Sequence, residues 1–178
     1  MPTSAERLPD GTPVLLRALP YDHPVVQDLV ERVQQEYVLR YGGRDAAVVV
    51  PSEFEPPAGV FLVAEVDGEA AGSGAWRLLP SGDVEIKRVY VAPAHRRRGL
   101  ARVIMAALED SAARAGHRRV VLNSGREQPE ALALYDRLGY RPVPGYGVYA
   151  CAPDAVFLGR NLGRRDGTEN EKGKPWAS

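Results

Sequence analysis

Hydrophobic residues recur every three or four positions in three segments of the chain, the spacing that places them on one face of a helix. These segments are residues 26–37, 100–108 and 131–138, and Pro129 supplies a favourable start for the last of them. Each segment is followed by a residue that commonly ends helices, namely Gly42, Gly116 and Gly139. The pattern therefore predicts three helices.

Shorter β-prone runs lie between the helices and predict strands. The main runs are residues 13–18, 60–66, 70–79, 84–91 and 120–122. Further strand segments lie within residues 140–162. The dipeptide Asp67-Gly68 favours a tight hairpin turn, so the runs on either side of it pair antiparallel. The strand, helix, strand order after residue 84 predicts a right-handed crossover and hence one parallel pair. We expect a mixed α/β fold with a mostly antiparallel sheet.

The two ends of the chain differ from its middle. Residues 1–12 are polar, and residues 163–178 have almost no apolar side chains. We expect a flexible segment at each end and one folded domain over residues 13–162. Within that domain, residues 44–59 contain three prolines, which indicates an irregular or partly helical loop beside a functional site.

The composition narrows the class of protein. The 178 residues carry 23 Lys plus Arg against 23 Asp plus Glu, and a neutral chain has no general attraction to nucleic acid or anionic lipid. The longest purely apolar run, residues 103–108, is far too short to span a membrane. The lone Cys151 excludes an intrachain disulfide, and the N-terminus lacks the apolar core of a secretory signal. We expect a cytoplasmic protein that binds neither nucleic acid nor membrane.

Several common motifs of catalysis and cofactor binding are absent from the sequence. It contains no Gly-x-x-x-x-Gly-Lys-Ser/Thr, Gly-x-Gly-x-x-Gly, His-Glu-x-x-His, Cys-x-x-Cys or Gly-x-Ser-x-Gly. His23, His95 and His117 lie far apart and have no cysteine or helical carboxylate at ligand spacing. We therefore expect no metal site.

The segment from Val89 to Ala101 combines a strand, a basic turn and the start of the most regular helix. The first backbone N–H groups of a helix lack partners and carry partial positive charge, so they can hold a phosphate. Gly99 lets the backbone approach a ligand closely, and the run Arg-Arg-Arg at residues 96–98 adds positive charge. The same run is also compatible with a solvated basic turn or a nucleic-acid patch, which leaves three interpretations open.

Two motifs in this chain resemble those of the GNAT superfamily of acetyl-CoA-dependent N-acetyltransferases. Residues 96–101 read Arg-Arg-Arg-Gly-Leu-Ala and match the cofactor motif Arg/Gln-x-x-Gly-x-Gly/Ala. Residues 128–140 resemble the family's Asn-x-x-Ala…Leu-Tyr-x-x-x-Gly-Phe signature, with Gln128 in place of Asn and Tyr140 in place of Phe. The resemblance covers about residues 14–162. It implies the GNAT fold, in which the parallel strand pair splays around the acetyl-CoA site and helices cover both faces of the sheet.

The resemblance also implies which residues bind acetyl-CoA. The backbone of Val89 and Val91 would pair with the pantetheine arm, amides of residues 97–102 would hold the pyrophosphate, and the Val89 amide would face the thioester oxygen. Asn123 and Ser124 are open to two interpretations, since they bond cofactor or substrate, or only cap the turn into Gly125. The residues expected to contact the cofactor are Val89, Tyr90, Val91, Arg96, Arg97, Arg98, Gly99, Leu100, Ala101, Arg102, Asn123, Gln128 and Tyr135.

Two residues are candidates for proton transfer. Glu85 shares the side-chain parity of Val89 and Val91 on an ideal strand, so it would point toward the same site and act as general base. Its alternative is an exposed strand carboxylate paired with Lys87 or Arg77. Tyr135 occupies the position of the family's general acid, which protonates the departing thiolate. Its alternative is a core aromatic residue on the buried face of a helix.

These expectations together describe an acyltransferase that moves acetyl from acetyl-CoA to the primary amine of a small molecule by direct attack. A non-catalytic acetyl-CoA sensor and an acetyltransferase acting on a protein lysine or N-terminus are the alternatives. Residues 1–70 hold 12 acidic and 5 basic side chains, and this acidic excess favours a cationic acceptor. The sequence also leaves open a homodimer, in which the partner is a second copy of the chain.

Overall fold

A single mixed sheet forms the centre of the computed structural model, which describes residues 3–163. Its eight strands are ordered β1-β2-β3-β4-β5-β6-β8-β7. The strands are β1 (Thr3–Arg7), β2 (Pro13–Ala18), β3 (Gly59–Val66), β4 (Glu69–Leu78), β5 (Val84–Val91), β6 (Arg119–Gly125), β7 (Arg141–Pro142) and β8 (Ala155–Asn161). The helices are α1 (Pro24–Tyr41), α2 (Leu100–Arg114) and α3 (Pro129–Arg137).

The expected fold class is confirmed. All neighbouring strands pair antiparallel except β5 and β6, which are parallel and joined through α2. Buried residues of α1 pack with one face of the sheet, whereas those of α2 and α3 pack with the other. The hairpin at Asp67-Gly68 has φ of 53° and 79°, the positive pair that a type I′ turn requires. None of the helices within residues 3–163 combines the length and the apolar character needed to cross a lipid bilayer.

The N-terminal segment departs from the sequence-based expectation. Residues 3–7 form β1, which pairs antiparallel with β2 from Thr3↔Arg17 to Arg7↔Pro13, so this part of the predicted flexible segment is ordered. All five side chains of β1 are exposed, and an edge strand without apolar alternation leaves no hydrophobic pattern in the sequence. The expected flexible tail at residues 163–178 lies, except for residue 163, outside the described residues.

Strands β5 and β6 separate shortly after they meet. Their parallel pairing covers three residue pairs, from Val84↔Val120 to Ile86↔Leu122. Beyond this point β5 stays with β4 as far as Val91, while β6 stays with β8 as far as Gly125. The backbone of residues 87–91 therefore has no strand partner on its β6 side within the described chain. The two strands form a fork, and the fork opens toward the start of α2.

Glycines in β4 bring α2 close to the sheet. A Cβ atom added at Gly74 would lie 2.7 Å from both Ile104 Cγ2 and Leu108 Cδ1, two fully buried side chains. We therefore expect Gly74→Ala to lower the free energy of unfolding by about 1–3 kcal/mol through overpacking. Gly43→Ala is the matched control, since its Cβ would meet nothing within 4 Å. Thermal unfolding followed by circular dichroism compares the variants, and equal midpoints for the two would contradict the close approach.

Candidate active site

A β-bulge in β5 sets the direction of the side chains at the fork. Ser73 pairs with Tyr90 and Ala75 pairs with Lys87, so β5 has one more residue than β4 between these pairs. Arg88 lies in this bulge with φ of 57°, a left-handed conformation that is uncommon outside glycine. The bulge reverses the alternation of side chains along β5. Lys87 and Tyr90, three residues apart, consequently point to the same face.

The position of Glu85 differs from the expectation for this reason. Val89 and Val91 pack against the core on the α2 face, whereas Tyr90 packs in the core on the α1 face. Glu85 precedes the bulge and lies on the α1 face with Lys87, so the predicted shared parity with Val89 and Val91 is wrong. In an ideal strand these three side chains share a face, and the one residue inserted after Lys87 moves Val89 and Val91 to the opposite face from Glu85.

A cavity of about 390 Å³ occupies the α1 side of the fork. It is bounded by the end of α1, the loop that follows α1, the diverging parts of β5 and β6, and the segment that leads into β8. Its volume lies in the range of small-molecule sites. The lining residues with polar side chains are Tyr37, Tyr41, Arg44, Asp45, Glu85, Lys87, Arg88, Asn123, Ser124, Gln128, Tyr149 and Asp154.

Glu85 lies on the wall of this cavity. Its side chain is 5% exposed, and Arg77 Nε donates to its Oε2 at 2.8 Å. Its other oxygen, Oε1, is 3.9 Å from Lys87 Nζ. The alternative interpretation, an exposed carboxylate paired with Lys87 or Arg77, names the correct partners of Glu85, but the carboxylate is buried and not exposed. Burial and the nearby Glu85 carboxylate raise the pKa of the neighbouring Tyr146, which stays protonated at neutral pH.

Asp45 is a second carboxylate at the cavity, with 9% of its side chain exposed, and sequence reasoning did not select it. Its Oδ2 accepts from Arg88 Nη1 at 2.6 Å, and its Oδ1 accepts from the Tyr149 hydroxyl and the Ala47 amide, both at 2.9 Å. Burial by itself raises the pKa of Asp45, but Lys87 and these donors outweigh it, and the pKa is lowered. Asp45 is thus a fixed anion that ties the loop after α1 to β5.

The turn between β5 and α2 offers unpaired backbone donors. Within the described chain, the five successive N–H groups from Arg97 to Ala101 donate no hydrogen bond. Arg97 has φ of 58° and Gly99 has φ of 89°, which gives the turn its tight shape. Free N–H groups at a helix start can hold an anion, so the anion site expected from the sequence stays a prediction with suitable donors in place.

The arginine side chains of the turn mostly hold it in place. Arg96 donates through Nε to the Val91 carbonyl at 2.9 Å and forms an ion pair with Glu36. Arg98 Nη2 donates to Asp10 Oδ2 at 3.1 Å and to Thr12 Oγ1 at 3.0 Å. The Arg97 side chain is exposed and forms no ion pair with a described residue. Arg96 and Arg98 consequently contribute positive charge from fixed positions.

The remaining expected site residues fall into three places. Asn123 and Gln128 line the cavity together with Glu85, and both Asn123 and Ser124 lie within β6, before its end at Gly125. Leu100 is buried in the core, and Arg102 borders a separate groove between α2 and the N-terminal strands. Only the backbone of Leu100 is therefore available at the turn.

Tyr135 is buried beside the fork and is not among the residues that line the cavity. Its ring lies 5.7 Å from that of Tyr140 within the core on the α2 face. Burial, with a smaller effect of Tyr37 on α1, raises the pKa of Tyr135. Its hydroxyl therefore remains protonated at neutral pH.

The last turns of α1 cross the opening of the fork. Glu36 pairs with Arg96 on one side, while Arg40 pairs with Glu130 at 2.5 Å on the other. Tyr41 donates through its hydroxyl to Gln128 Oε1 at 3.3 Å. These contacts join α1 to both the turn before α2 and the start of α3, so α1 forms one wall of the cavity.

The charges at the cavity are balanced. Asp45 and Glu85 face Lys87 and Arg88, and Arg44 is held by both oxygens of Glu31. The acidic excess of residues 1–70 is therefore not concentrated at this cavity. A preference for a cationic acceptor remains a prediction from the sequence that these contacts do not support.

Comparison with known proteins agrees with this architecture. A family model described as the acetyltransferase (GNAT) family matches residues 26–140. The chain is 27% identical over 141 residues to the uncharacterized N-acetyltransferase YjgM of Escherichia coli (strain K12), covering 74% of this chain and 84% of that protein. It is 32% identical over 103 residues to IAA acetyltransferase of Azospirillum brasilense, covering 57% of this chain and 67% of that protein.

Solved structures show the same fold. The GNAT domain of S. lividans PAT has a TM-score of 0.72 at 18% identity, covering 90% of this chain and 97% of that domain. The match of the family model extends over more than half of the chain and includes the fork, the turn before α2 and all of α3. The chain therefore belongs to the GNAT family of acetyltransferases, and it is an N-acetyltransferase.

Proposed function

We propose that this enzyme transfers the acetyl group of acetyl-CoA to the primary amine of a small molecule by direct attack. The observation that carries the proposal is the fork between β5 and β6, with unpaired backbone donors at its mouth and a 390 Å³ cavity on its α1 side. One ligand enters along the strands, and the other fills the cavity.

The residues at the fork fit acetyl-CoA. The N–H groups of residues 97–101 are free to bind the pyrophosphate, and the helix start behind them favours negative charge. The free β6-side edge of residues 87–91 can pair with the amides of the pantetheine arm in the manner of an added strand. Asn123 and Gln128 supply side-chain amides on the opposite side of the fork. Bound acetyl-CoA supplies a thioester, which is an activated acetyl donor.

The Val89 amide stabilises negative charge on the acetyl oxygen in this proposal. Val89 directly follows the bulge, where the β5 backbone leaves the regular ladder. A fixed N–H group aimed at a developing oxyanion contributes about two to three orders of magnitude in rate. The chain's one cysteine, Cys151, is exposed and is not among the cavity-lining residues, which supports direct attack by the amine without an acyl-enzyme.

Glu85 is the general base of the proposed mechanism. A primary ammonium with a pKa of about 10 must lose a proton before it attacks. Arg77 engages Glu85 Oε2 and holds the carboxylate in place, while Oε1 lies 3.9 Å from Nζ of Lys87, another residue that lines the cavity. The proton passes to this oxygen directly or through one water.

Tyr135 is proposed as the acid that protonates the departing thiolate. We expect Tyr135→Phe to lower kcat by about tenfold to a hundredfold. The loss is modest because a thiol with a pKa of about 8.5 leaves as a stable thiolate. Steady-state kinetics measure the effect, and kcat equal to that of the unchanged enzyme would remove Tyr135 from the mechanism. Tyr140→Phe is the control, because its ring lies in the same core, 5.7 Å from that of Tyr135, and it does not line the cavity.

Release of free CoA thiol from acetyl-CoA tests the proposed function. A panel of small primary amines and a panel of peptides with a free lysine or N-terminus are compared at saturating acetyl-CoA. Turnover with small amines, identified by mass spectrometry of the acetylated product, is the expected result. Turnover with peptides alone would replace the small-molecule acceptor by a protein. Calorimetric binding of acetyl-CoA without turnover on either panel would overturn the proposal.

A further inference from the structure

Lys87 is unusual among the basic residues of this chain. The sequence contains 20 Arg and 3 Lys, and the other two lysines, Lys172 and Lys174, lie outside the described residues. Lys87 is thus the single lysine of residues 3–163, and it lines the cavity at the fork. A lysine presents a compact charge with three rotatable donors, unlike the rigid fork of an arginine.

The ammonium of Lys87 has no hydrogen-bond partner in the described chain. Its side chain is 11% exposed, and its Nζ lies 3.7 Å from Asp45 Oδ2 and 3.9 Å from Glu85 Oε1. Both distances exceed that of a hydrogen bond. A largely buried ammonium with unused donors is costly unless an acceptor enters the site.

The two neighbouring carboxylates already have closer cationic partners. Asp45 is bonded by Arg88 at 2.6 Å, and Glu85 is bonded by Arg77 at 2.8 Å, with Arg77 also bridging to Glu53. Lys87 helps to lower the pKa of Asp45, but neither carboxylate accepts a hydrogen bond from its ammonium. The three N–H donors of Lys87 are available to a ligand in the cavity.

We propose that Lys87 binds a carboxylate of the acceptor, so that the substrate is an amino acid or a similar amine with a carboxylate close by. This inference rests on the proposed function, because it places the acceptor in the cavity of the fork. The acceptor carboxylate receives charge-assisted hydrogen bonds from Lys87 Nζ. The acceptor amine then lies toward Glu85 Oε1, the carboxylate oxygen that Arg77 does not engage.

The spacing of the two groups matches this class of acceptor. Glu85 Oε1 and Lys87 Nζ are 3.9 Å apart, which suits an amine and a carboxylate attached to the same or to adjacent carbon atoms. Glu85 and Lys87 are two residues apart before the bulge, so both side chains point into the cavity from one strand. A diamine presents no anion to Lys87 and leaves its donors unpaired.

Pairs of substrates that differ only in the carboxylate test the proposal. Suitable pairs are L-phenylalanine with phenethylamine, L-histidine with histamine and L-lysine with cadaverine. The measured quantity is the ratio of kcat/KM for the amino acid to kcat/KM for its decarboxylated partner. We expect this ratio to exceed one for at least one pair and to fall about 10- to 100-fold in Lys87→Met, since a hydrogen bond to a charged group is lost.

Two further variants separate binding from positioning. Lys87→Arg retains the charge and is expected to preserve part of the ratio. Arg44→Met removes a cation at the same cavity whose guanidinium is already held by Glu31, and it is expected to leave the ratio unchanged. If Lys87 only positioned Glu85 and Asp45, Lys87→Met would slow both members of a pair equally.

The outcomes distinguish this inference from the proposed function. A ratio that stays constant in Lys87→Met, or a general preference for the decarboxylated amines, would overturn the carboxylate site while the amine acetyltransferase stands. Absence of turnover with every amine of either kind would overturn both.

Discussion

Glu85→Gln is expected to lower kcat with a small amine by about two to four orders of magnitude near pH 7, the usual contribution of a general base. The amide keeps the size of the side chain but cannot accept the proton of the attacking ammonium. The deficit should shrink as the pH approaches the amine pKa of about 10, because more of the acceptor then arrives already deprotonated. Turnover of both enzymes is measured from about pH 6 to about pH 10 in steps of about one pH unit. This series gives the loss of kcat near pH 7 and its decrease at higher pH.

Glu53→Gln is the matched control for this experiment. Glu53 is bonded by the same Arg77, at 2.8 Å, but its side chain is 38% exposed and is not among the residues that line the cavity. Loss of an ion pair to Arg77 is thus common to both variants, and loss of a carboxylate at the cavity is specific to Glu85→Gln. Equal kinetic losses in the two variants would assign Glu85 a structural role, and full activity of Glu85→Gln would remove it as the base.

Gly99→Val is expected to weaken acetyl-CoA binding by about 100-fold, which corresponds to two lost hydrogen bonds to a charged group at about 1.5 kcal/mol each. Gly99 has φ of 89°, a conformation that a β-branched residue avoids, and an added Cβ would lie 2.9 Å from Pro9 Cδ. Either change displaces the N–H groups that flank this residue. Calorimetric titration with CoA measures the affinity directly.

Gly82→Val controls for backbone strain in this measurement. Gly82 lies between β4 and β5, has φ of 88°, and would meet no atom within 4 Å of an added Cβ. It therefore shares the positive φ of Gly99 but is remote from the turn before α2. Equal weakening of CoA binding by both variants would point to general destabilisation, and unchanged affinity of Gly99→Val would contradict an anion site at this turn.

The parts of the fold that local patterns describe were predicted correctly. All three helices have apolar faces and are followed within two residues by a glycine in the left-handed conformation, a signal contained in a few successive residues. The hairpin at Asp67-Gly68 and the parallel crossover through α2 also follow from local order. The turn before α2 was found because its motif is contiguous.

Long-range contacts account for what the sequence did not reveal. Asp45 is joined to Arg88 and Tyr149, which are 43 and 104 residues away, and no periodicity links these positions. The bulge at Arg88 appears only when β5 is paired with β4, and it reversed the face assigned to Glu85. Asp45 had one weak signal, its place in a loop already expected to border a functional site. Lys87 also had a weak signal, because it is a lysine in a chain whose basic residues are mostly arginine.

The hydrogen bonds of Arg98 to Asp10 and Thr12 have a consequence for the boundaries of the functional unit. The family match begins at residue 26, after both of these acceptors. A protein shortened to that point would retain every residue of both family motifs and yet lose the hairpin loop that supports the turn before α2. A fragment cut at the start of the family match would therefore leave Arg98 without both of these acceptors.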